Sequence, residues 1–286
     1  MEIRTVAVIG GGLMGRQIAL NTAIYPFEVY LTDNNPEVLK KVAEWEEEYL
    51  AGRIAKGRMT EEQVAGIKSR FHLVETMEEA VKNADLVIEA VVERKNIKEI
   101  VLKDAAKYAR EDAIIATNSS YMVSSMFVDL VPNPSRLCNL HYFNPALVMK
   151  LTEIAKGDHT SDETVKAVYD FSLKTGKKPV IVNKEIDGFI VNRILSAIYK
   201  EARWLVEEGY CSYQDLDTAC EYGLSHPMGP FRLNDLTGLD LTFDILKSHY
   251  EKSGVKPVGY DLYKEFCDKG WYGQKSGRGF YEYDKK

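Results

Sequence analysis

Three glycines and an acid form the first pattern in the 286-residue chain that could do chemistry. Gly10, Gly12 and Gly15 have the G-x-G-x-x-G spacing, and Asp33 ends the next apolar run. Glycines at this spacing allow a tight turn, a close approach of a pyrophosphate and close packing of a helix on a strand. The helix N-terminus offers free N–H groups to phosphates, and an acid can accept hydrogen bonds from ribose hydroxyls. The pattern predicts dinucleotide binding, and the alternative is a glycine turn in an ordinary α/β protein.

The residues that follow Asp33 bear on the choice of dinucleotide. They are Asn34 and Asn35, and neither is basic. A 2′-phosphate would therefore meet the carboxylate without a cationic partner. We expect NAD rather than NADP.

A histidine and a carboxylate form the second pattern. His141 lies at the end of one predicted strand, and Glu153 lies in the next. Histidine exchanges a proton near neutral pH. A carboxylate that accepts the other ring N–H would orient the imidazole and stabilise its protonated form. The alternative is that His141 is a structural histidine at a strand end.

The elements that must position these residues alternate between strands and helices. Apolar runs predict strands at 5–9, 28–32, 71–74, 85–92, 113–117, 137–142, 148–154 and 178–182. Such alternation predicts an α/β fold with a parallel, doubly wound, Rossmann-like sheet. Ligands of these sheets bind beyond the carboxyl ends of the strands. Glu93, Asn118 and Ser120 should therefore lie at the same edge as the glycines.

Capping residues predict where several helices begin. Pro36 follows two asparagines and opens a long helix. Thr60 with Gln63, and Thr160 with Glu163, have the spacing of a capping box. After residue 188 the predicted elements are helical, with a non-helical tail at the end. We expect a dinucleotide-binding domain over 1–184 and an all-helical C-terminal domain over 185–286.

Composition limits the classes of function. A net charge of −6 without a basic stripe argues against nucleic-acid binding. The first predicted strand begins almost at Met1, so we expect no targeting leader, and no apolar run approaches membrane-spanning length. The four cysteines lack C-x-x-C spacing, which argues against zinc and for a reducing cytoplasm. We expect a cytoplasmic protein without a metal and without nucleic-acid or membrane partners.

Ordered motifs run along essentially the whole chain. They are G-G-G-L-M-G at 10–15, D-L-V-I-E-A-V-V-E at 85–93, T-N-S-S at 117–120, H-Y-F-N-P-A-L-V-M-K-L-T-E at 141–153, G-F-I-V-N-R-I-L at 188–195, H-P-M-G-P-F at 226–231 and G-Q-K-S-G-R-G-F-Y at 273–281. On these motifs the chain resembles the short-chain L-3-hydroxyacyl-CoA dehydrogenase family, and within it the bacterial 3-hydroxybutyryl-CoA dehydrogenases. The resemblance implies NAD-dependent interconversion of L-3-hydroxyacyl-CoA and 3-ketoacyl-CoA. It also implies a homodimer formed through the C-terminal domain, although the apolar face of the long helix could instead pack on the first domain.

The resemblance implies roles for individual residues. His141 matches the general base and Glu153 its orienting carboxylate. Ser120 matches a serine that hydrogen-bonds the substrate oxygen, and Asn192 an asparagine that helps to hold the substrate. The predicted cofactor-binding residues are Gly10, Gly12, Leu13, Met14, Gly15, Asp33, Glu93, Lys98, Asn118, Ser120, Asn144 and Lys275. Lys56 matches a contact to coenzyme A and Arg53 is a neighbour for its phosphates, with surface solvation as the alternative for both.

The chain departs from the family pattern at two places. Where the family usually has N-T-S-S-L, this chain has N-S-S-Y-M, so that Tyr121 replaces a serine. One extra residue lies between Glu153 and Gly188, and Asn192 is therefore assigned by its V-N-R motif. The departures keep open a dehydrogenase of a non-CoA hydroxy acid or a hydroxymethyl aromatic compound. A non-enzymatic dinucleotide-binding protein is the third hypothesis, and the presence of the four implied catalytic groups argues against it.

Overall fold

The computed structural model describes residues 2–284. Contacts divide the chain into two compact units, one that ends at Ile190 and one that begins at Val191. The boundary predicted at residue 184 lies a few residues before this division, in the segment that follows the last strand.

The first unit contains one sheet, which has eight strands within residues 2–284. The strands are β1 (Thr5–Ile9), β2 (Glu28–Thr32), β3 (Phe71–Val74), β4 (Leu86–Glu89), β5 (Ile114–Thr117), β6 (Leu137–Tyr142), β7 (Leu151–Ala155) and β8 (Lys178–Val182). Their order across the sheet is β3-β2-β1-β4-β5-β6-β7-β8. The strands from β3 to β6 pair in parallel, which confirms the predicted doubly wound fold.

The far edge of the sheet departs from the all-parallel prediction. β7 pairs antiparallel with β6, and β8 then pairs parallel with β7. The short loop between β6 and β7 allows the antiparallel pairing, whereas a parallel pair needs a long crossover connection. The predicted strand at 148–154 begins later in the structure, at Leu151.

Helices cover both faces of this sheet. They are α1 (Leu13–Ala23), α2 (Pro36–Ala55), α3 (Glu61–Arg70), α4 (Met77–Val81), α5 (Lys95–Tyr108) and α6 (Asp162–Lys174). Alternate residues of β1 enter different cores, because side chains alternate along a strand. Val6 and Val8 pack in a cluster with residues of α1, while Ala7 and Ile9 pack in a second cluster with Leu102 of α5.

Side-chain caps fix the starts of four of these helices, α2, α3, α4 and α6. The Asn35 side chain accepts a hydrogen bond from Glu37 N at 3.1 Å, and the predicted capping box of Thr60 and Gln63 is present. The cap predicted at Thr160 is wrong, because the N-cap of α6 is Ser161. The Thr160 hydroxyl instead donates to Leu137 O at 2.7 Å and so ties the loop to β6.

The second unit is helical around its own core. Its helices are α7 (Val191–Glu207), α8 (Tyr213–Gly223), α9 (Pro230–Thr237), α10 (Leu239–Ser253) and α11 (Tyr260–Asp268). Asp235 holds the predicted non-helical tail, because its carboxylate accepts from Phe280 N, Tyr281 N and Tyr283 Oη, each at 2.9 Å. Between residues 2 and 284, no helix has the length and apolar character needed to cross a membrane.

Candidate active site

The glycine turn between β1 and α1 lies at the carboxyl edge of the sheet. Gly10 has a φ of +107°, and a Cβ there would lie 2.8 Å from Ala90 O. A Cβ on Gly15 would lie 1.8 Å from Gly10 O, so the helix and the strand approach each other this closely only because residue 15 is glycine. A Cβ on Gly12 would meet no described atom within 4 Å. The backbone at Gly12 is therefore open to a ligand, as a pyrophosphate site at a helix N-terminus requires.

Asp33 is fixed beside this turn at the end of β2. Its Oδ2 accepts from Gly11 N at 2.8 Å, and its Oδ1 accepts from Asn35 N at 2.9 Å. A cavity of about 620 Å³ opens here. Asp33, Gly10 and Gly12 line one part of it, and the apolar side chains of Met77, Ile97, Val101 and others line the rest. An apolar wall for a base beside an acceptor for ribose hydroxyls fits the adenosine half of a dinucleotide.

A buried network lies behind the next strand ends. Lys98 is 1% exposed, and its Nζ lies 2.8 and 2.9 Å from the two carboxylate oxygens of Glu89. The same ammonium lies 3.2 Å from Glu93 Oε2. Glu93 Oε1 accepts hydrogen bonds from the Ser119 hydroxyl and, at 3.1 Å, from Ser120 N. The structure therefore places Lys98 behind Glu93, and its predicted direct contact with the cofactor stays a prediction.

Opposing effects set the charge of Glu93. Burial raises the pKa of this carboxyl, but Lys98 and the Ser119 hydroxyl act more strongly together and leave the pKa below its ordinary value. Glu93 is therefore ionised at neutral pH and holds the loop that carries Ser120.

The antiparallel pairing of β6 and β7 brings together the predicted acid–base residues. His141 and Glu153 are directly opposite partners in the register. Their side chains meet with His141 Nδ1 2.9 Å from Glu153 Oε2, and both residues are buried. Ser120 Oγ lies 3.0 Å from His141 Nε2, so both ring nitrogens have a partner.

This geometry determines the useful tautomer of the imidazole. An ionised carboxylate only accepts hydrogen bonds, so the proton of a neutral ring belongs on Nδ1. Nε2 then has a free lone pair that accepts from the Ser120 hydroxyl. A substrate hydroxyl near Ser120 would find the same lone pair, as general base catalysis requires.

Two asparagines lie at the ends of the neighbouring strands. The Asn118 side chain follows β5 and accepts from Tyr142 N at 2.8 Å, which joins the ends of β5 and β6. Asn144 is exposed in the loop after β6, and its peptide bond to Pro145 is cis. Their predicted contacts with the cofactor are not tested by these positions.

The remaining predicted residues lie elsewhere. Arg53 is in the last turn of α2, and Lys56 is the exposed C-cap of that helix. In the second unit, Asn192 is in the first turn of α7, and the Lys275 ammonium contacts the Asp240 carboxylate. Their predicted roles in binding stay predictions. Across the described part of the chain, no group of three or more His, Cys, Asp or Glu side chains could hold a metal ion.

Sequence reasoning missed several groups around His141. The ring centroids of Phe143 and Phe189 lie 4.6 and 5.5 Å from the imidazole centroid. Ile190 N donates to Glu153 Oε1 at 3.0 Å. The available signal was the position of Phe189 and Ile190 inside the G-F-I-V-N-R motif, although nothing in the motif tells which group they contact.

Comparisons with known proteins agree with this geometry. Residues 5–186 match the model of the 3-hydroxyacyl-CoA dehydrogenase NAD binding domain, and residues 188–283 match that of the 3-hydroxyacyl-CoA dehydrogenase C-terminal domain. The chain is 36% identical to the probable 3-hydroxybutyryl-CoA dehydrogenase of Bacillus subtilis, over 100% of this chain and 99% of that protein. It is 37% identical to the mitochondrial hydroxyacyl-coenzyme A dehydrogenase of Homo sapiens, over 98% of this chain and 91% of that protein.

The chain is also similar to a solved structure of a 3-hydroxybutyryl-CoA dehydrogenase. The chain resembles the crystal structure of the (S)-3-hydroxybutyryl-CoA dehydrogenase PaaH1 from Ralstonia eutropha with a TM-score of 0.89 and 33% identity. The similarity covers 99% of this chain and 100% of that one.

Proposed function

Because the chain belongs to the 3-hydroxyacyl-CoA dehydrogenase family, we propose that it interconverts an L-3-hydroxyacyl-CoA and the corresponding 3-ketoacyl-CoA. It is an NAD-dependent oxidoreductase, and the substrate that we propose is short, with 3-hydroxybutyryl-CoA as the first candidate. The observation that carries the proposal is the hydrogen-bonded chain from Ser120 through His141 to Glu153.

Ser120, His141 and Glu153 each have a separate role in the proton transfer. Ser120 Oγ donates to the substrate oxygen and holds it within reach of His141 Nε2. During oxidation Nε2 takes the proton of the C3 hydroxyl, and NAD, held by the residues at the carboxyl edge of the sheet, would supply the acceptor for the C3 hydride. Glu153 is buried beside the imidazolium that results and stabilises its charge. In the reverse direction, the imidazolium returns the proton to the ketone oxygen.

The cofactor site fits NAD by its donor and acceptor chemistry. Asp33 would accept from both hydroxyls of the adenosine ribose, and the open backbone at Gly12 would approach the pyrophosphate. Asn34 and Asn35 line the same cavity and offer no cation to a 2′-phosphate. Leu13, Met14, Glu93 and Asn144 are the further cofactor contacts that we propose, with Lys275 from the second unit.

Coenzyme A would bind through its anionic end. Arg53 and Lys56 lie one turn apart at the end of α2, and Lys56 is exposed. A phosphate is attracted to two such cations. We place Asn192 at the reacting end of the substrate by the same family resemblance.

Assembly and location are also proposed. Several large apolar side chains of the second unit remain exposed: Ile194 57%, Trp204 38%, Leu241 55% and Ile245 53%. Exposed apolar side chains in this unit favour a homodimer through it, which sedimentation would test. Within residues 2–284 the four cysteines are free, which is consistent with the cytoplasm.

The thioester is tested by comparing two substrates. NADH oxidation would be followed with acetoacetyl-CoA and with free acetoacetate under the same conditions. We expect turnover of the thioester at a kcat/KM at least about 100-fold higher, because ionic contacts to coenzyme A supply binding energy that the free acid lacks. Equal rates would favour the dehydrogenase of a non-CoA hydroxy acid. Tight NADH binding without turnover of either compound would favour a non-enzymatic protein.

A further inference from the structure

The backbone of residues 188–190 contacts two of the groups that carry the proposed reaction. Gly188 N donates to Ser120 O at 3.2 Å. Ile190 N donates to Glu153 Oε1 at 3.0 Å, on the carboxylate whose other oxygen pairs with His141. One short segment therefore fixes both the serine loop and the orienting carboxylate.

Phe189 lies between these two N–H groups in an unusual conformation. Its φ is +47°, and that of Gly188 is +72°. Both φ values lie in the left-handed region, which glycine, asparagine and aspartate favour. A bulky residue with positive φ is a genuine outlier, and backbone strain of this kind clusters at functional sites.

Burial of the Phe189 ring holds this conformation. The side chain is 1% exposed and packs with Val123, Ala155 and Val182. The ring also lies against the imidazole of His141, with 5.5 Å between the centroids. A ring enclosed on these sides leaves the backbone little freedom to return to negative φ.

We propose that Phe189 is a positioning residue, whose buried ring holds a left-handed turn that directs two backbone N–H groups at Ser120 and Glu153. Phe189 acts on the reaction through these two N–H groups. The inference depends on the proposed function, because Ser120, His141 and Glu153 are the groups of that reaction.

Glycine and alanine at position 189 separate this role from ordinary packing. Both changes remove the ring, but glycine adopts positive φ without a steric penalty, whereas alanine meets a penalty that corresponds to about 5- to 30-fold in population. We therefore expect kcat with acetoacetyl-CoA and NADH to be about 5- to 30-fold higher for Phe189→Gly than for Phe189→Ala. A packing role alone predicts the opposite order, since glycine leaves the larger cavity. A kcat for Phe189→Gly equal to or below that of Phe189→Ala would overturn the proposal.

Two further measurements connect the effect to the catalytic groups. In a Glu153→Ala background the difference between glycine and alanine at 189 should become smaller, because the acceptor of Ile190 N is gone while the contact of Gly188 N with Ser120 O remains. The Kd for NADH should stay within about 2-fold of wild type in the single variants, because residues 188–190 do not line the cavity that fits the adenosine half of the dinucleotide. The inference would be contradicted if the ratio of kcat between Phe189→Gly and Phe189→Ala were unchanged in the Glu153→Ala background. It would also be contradicted if a higher Kd for NADH explained the loss of activity in the single variants.

Controls cover folding and the underlying function. Phe171→Ala removes another buried ring, which lies in α6 and packs on Phe27, and it should lower the Tm while leaving kcat unchanged. If a variant at 189 fails to fold, Gly188→Ala places a Cβ at a φ of +72° and keeps the ring. It should lower kcat by about 5- to 30-fold, and a kcat within about 2-fold of wild type would refute the turn's role. A wild-type enzyme without acetoacetyl-CoA turnover would overturn the proposed function, whereas an active wild type with the wrong glycine–alanine order overturns this inference alone.

Discussion

Replacing Glu153 by glutamine should remove the useful tautomer of His141 while keeping the size of the side chain. The carboxylate of Glu153 accepts hydrogen bonds from His141 Nδ1 and from Ile190 N. Glutamine offers one accepting oxygen and one donating NH₂ group. Only one of the two donors can therefore keep its acceptor.

Each orientation of the amide has a cost. If the oxygen stays on Ile190 N, the NH₂ group faces Nδ1 and the ring proton moves to Nε2, where the base lone pair is lost. If the oxygen faces Nδ1, the NH₂ group of the glutamine faces the N–H of Ile190, and two donors oppose each other. At a site with 0% exposure, this costs about 1–3 kcal/mol. The neutral amide also stabilises the imidazolium less than the carboxylate does. We expect kcat to fall by about 10²- to 10³-fold, within the range for a lost general base.

The assay is steady-state reduction of acetoacetyl-CoA with NADH, together with NADH binding followed by fluorescence. NADH binding should be unchanged, because Glu153 does not line the cavity that fits the adenosine half of the dinucleotide. Glu163→Gln is the matched control, since Glu163 is exposed in the first turn of α6. A kcat for Glu153→Gln within about 3-fold of wild type would refute the argument from the tautomer.

Two substitutions and the behaviour of Cys138 test other parts of the structure. Asp33→Ala should raise the Kd for NADH by about 10-fold or more, because it removes charged acceptors for the ribose hydroxyls. The Kd for NADPH should rise less. An unchanged ratio of the Kd for NADH to the Kd for NADPH would count against Asp33 as the ribose-binding residue. Lys98→Met should lower the free energy of unfolding in urea by about 3–5 kcal/mol, because it leaves the buried Glu89 carboxylate unpaired, whereas the exposed control Lys95→Met should change it little. Burial raises the pKa of the Cys138 thiol to about 12. Iodoacetamide at pH 8 should therefore label the other cysteines of the native protein and spare Cys138. Labelling of all four cysteines at equal rates would contradict the burial of Cys138. The same shift means that stability falls as the pH rises from about 9, where the unfolded thiol ionises, towards about 12.

Local signals in the sequence predicted most of the first unit. The alternation of apolar strands and capped helices predicted the doubly wound sheet, because the spacing of apolar residues within a segment indicates whether it is a strand or a helix. Thr60 and Gln63 predicted a helix start correctly, since both partners of a capping box are close in sequence. Thr160 failed as a cap because its hydroxyl has a competing partner on β6, which is distant in sequence.

The geometry of the site required information that one strand does not contain. The sequence predicted that His141 and Glu153 lie in neighbouring strands, but only the antiparallel register makes them direct partners. Lys98 lies on α5, and its burial depends on Glu89 at the end of β4. The positive φ of Phe189 depends on the packing of its ring, so no local preference of phenylalanine could predict it.

The most direct measurement is the activity of His141→Ala beside its affinity for NADH. If this imidazole transfers the proton, kcat with acetoacetyl-CoA should fall by about 10²-fold or more, while the Kd for NADH stays close to that of wild type. A folded variant that binds NADH and retains a kcat within a few fold of wild type would contradict the role of His141 as the general base.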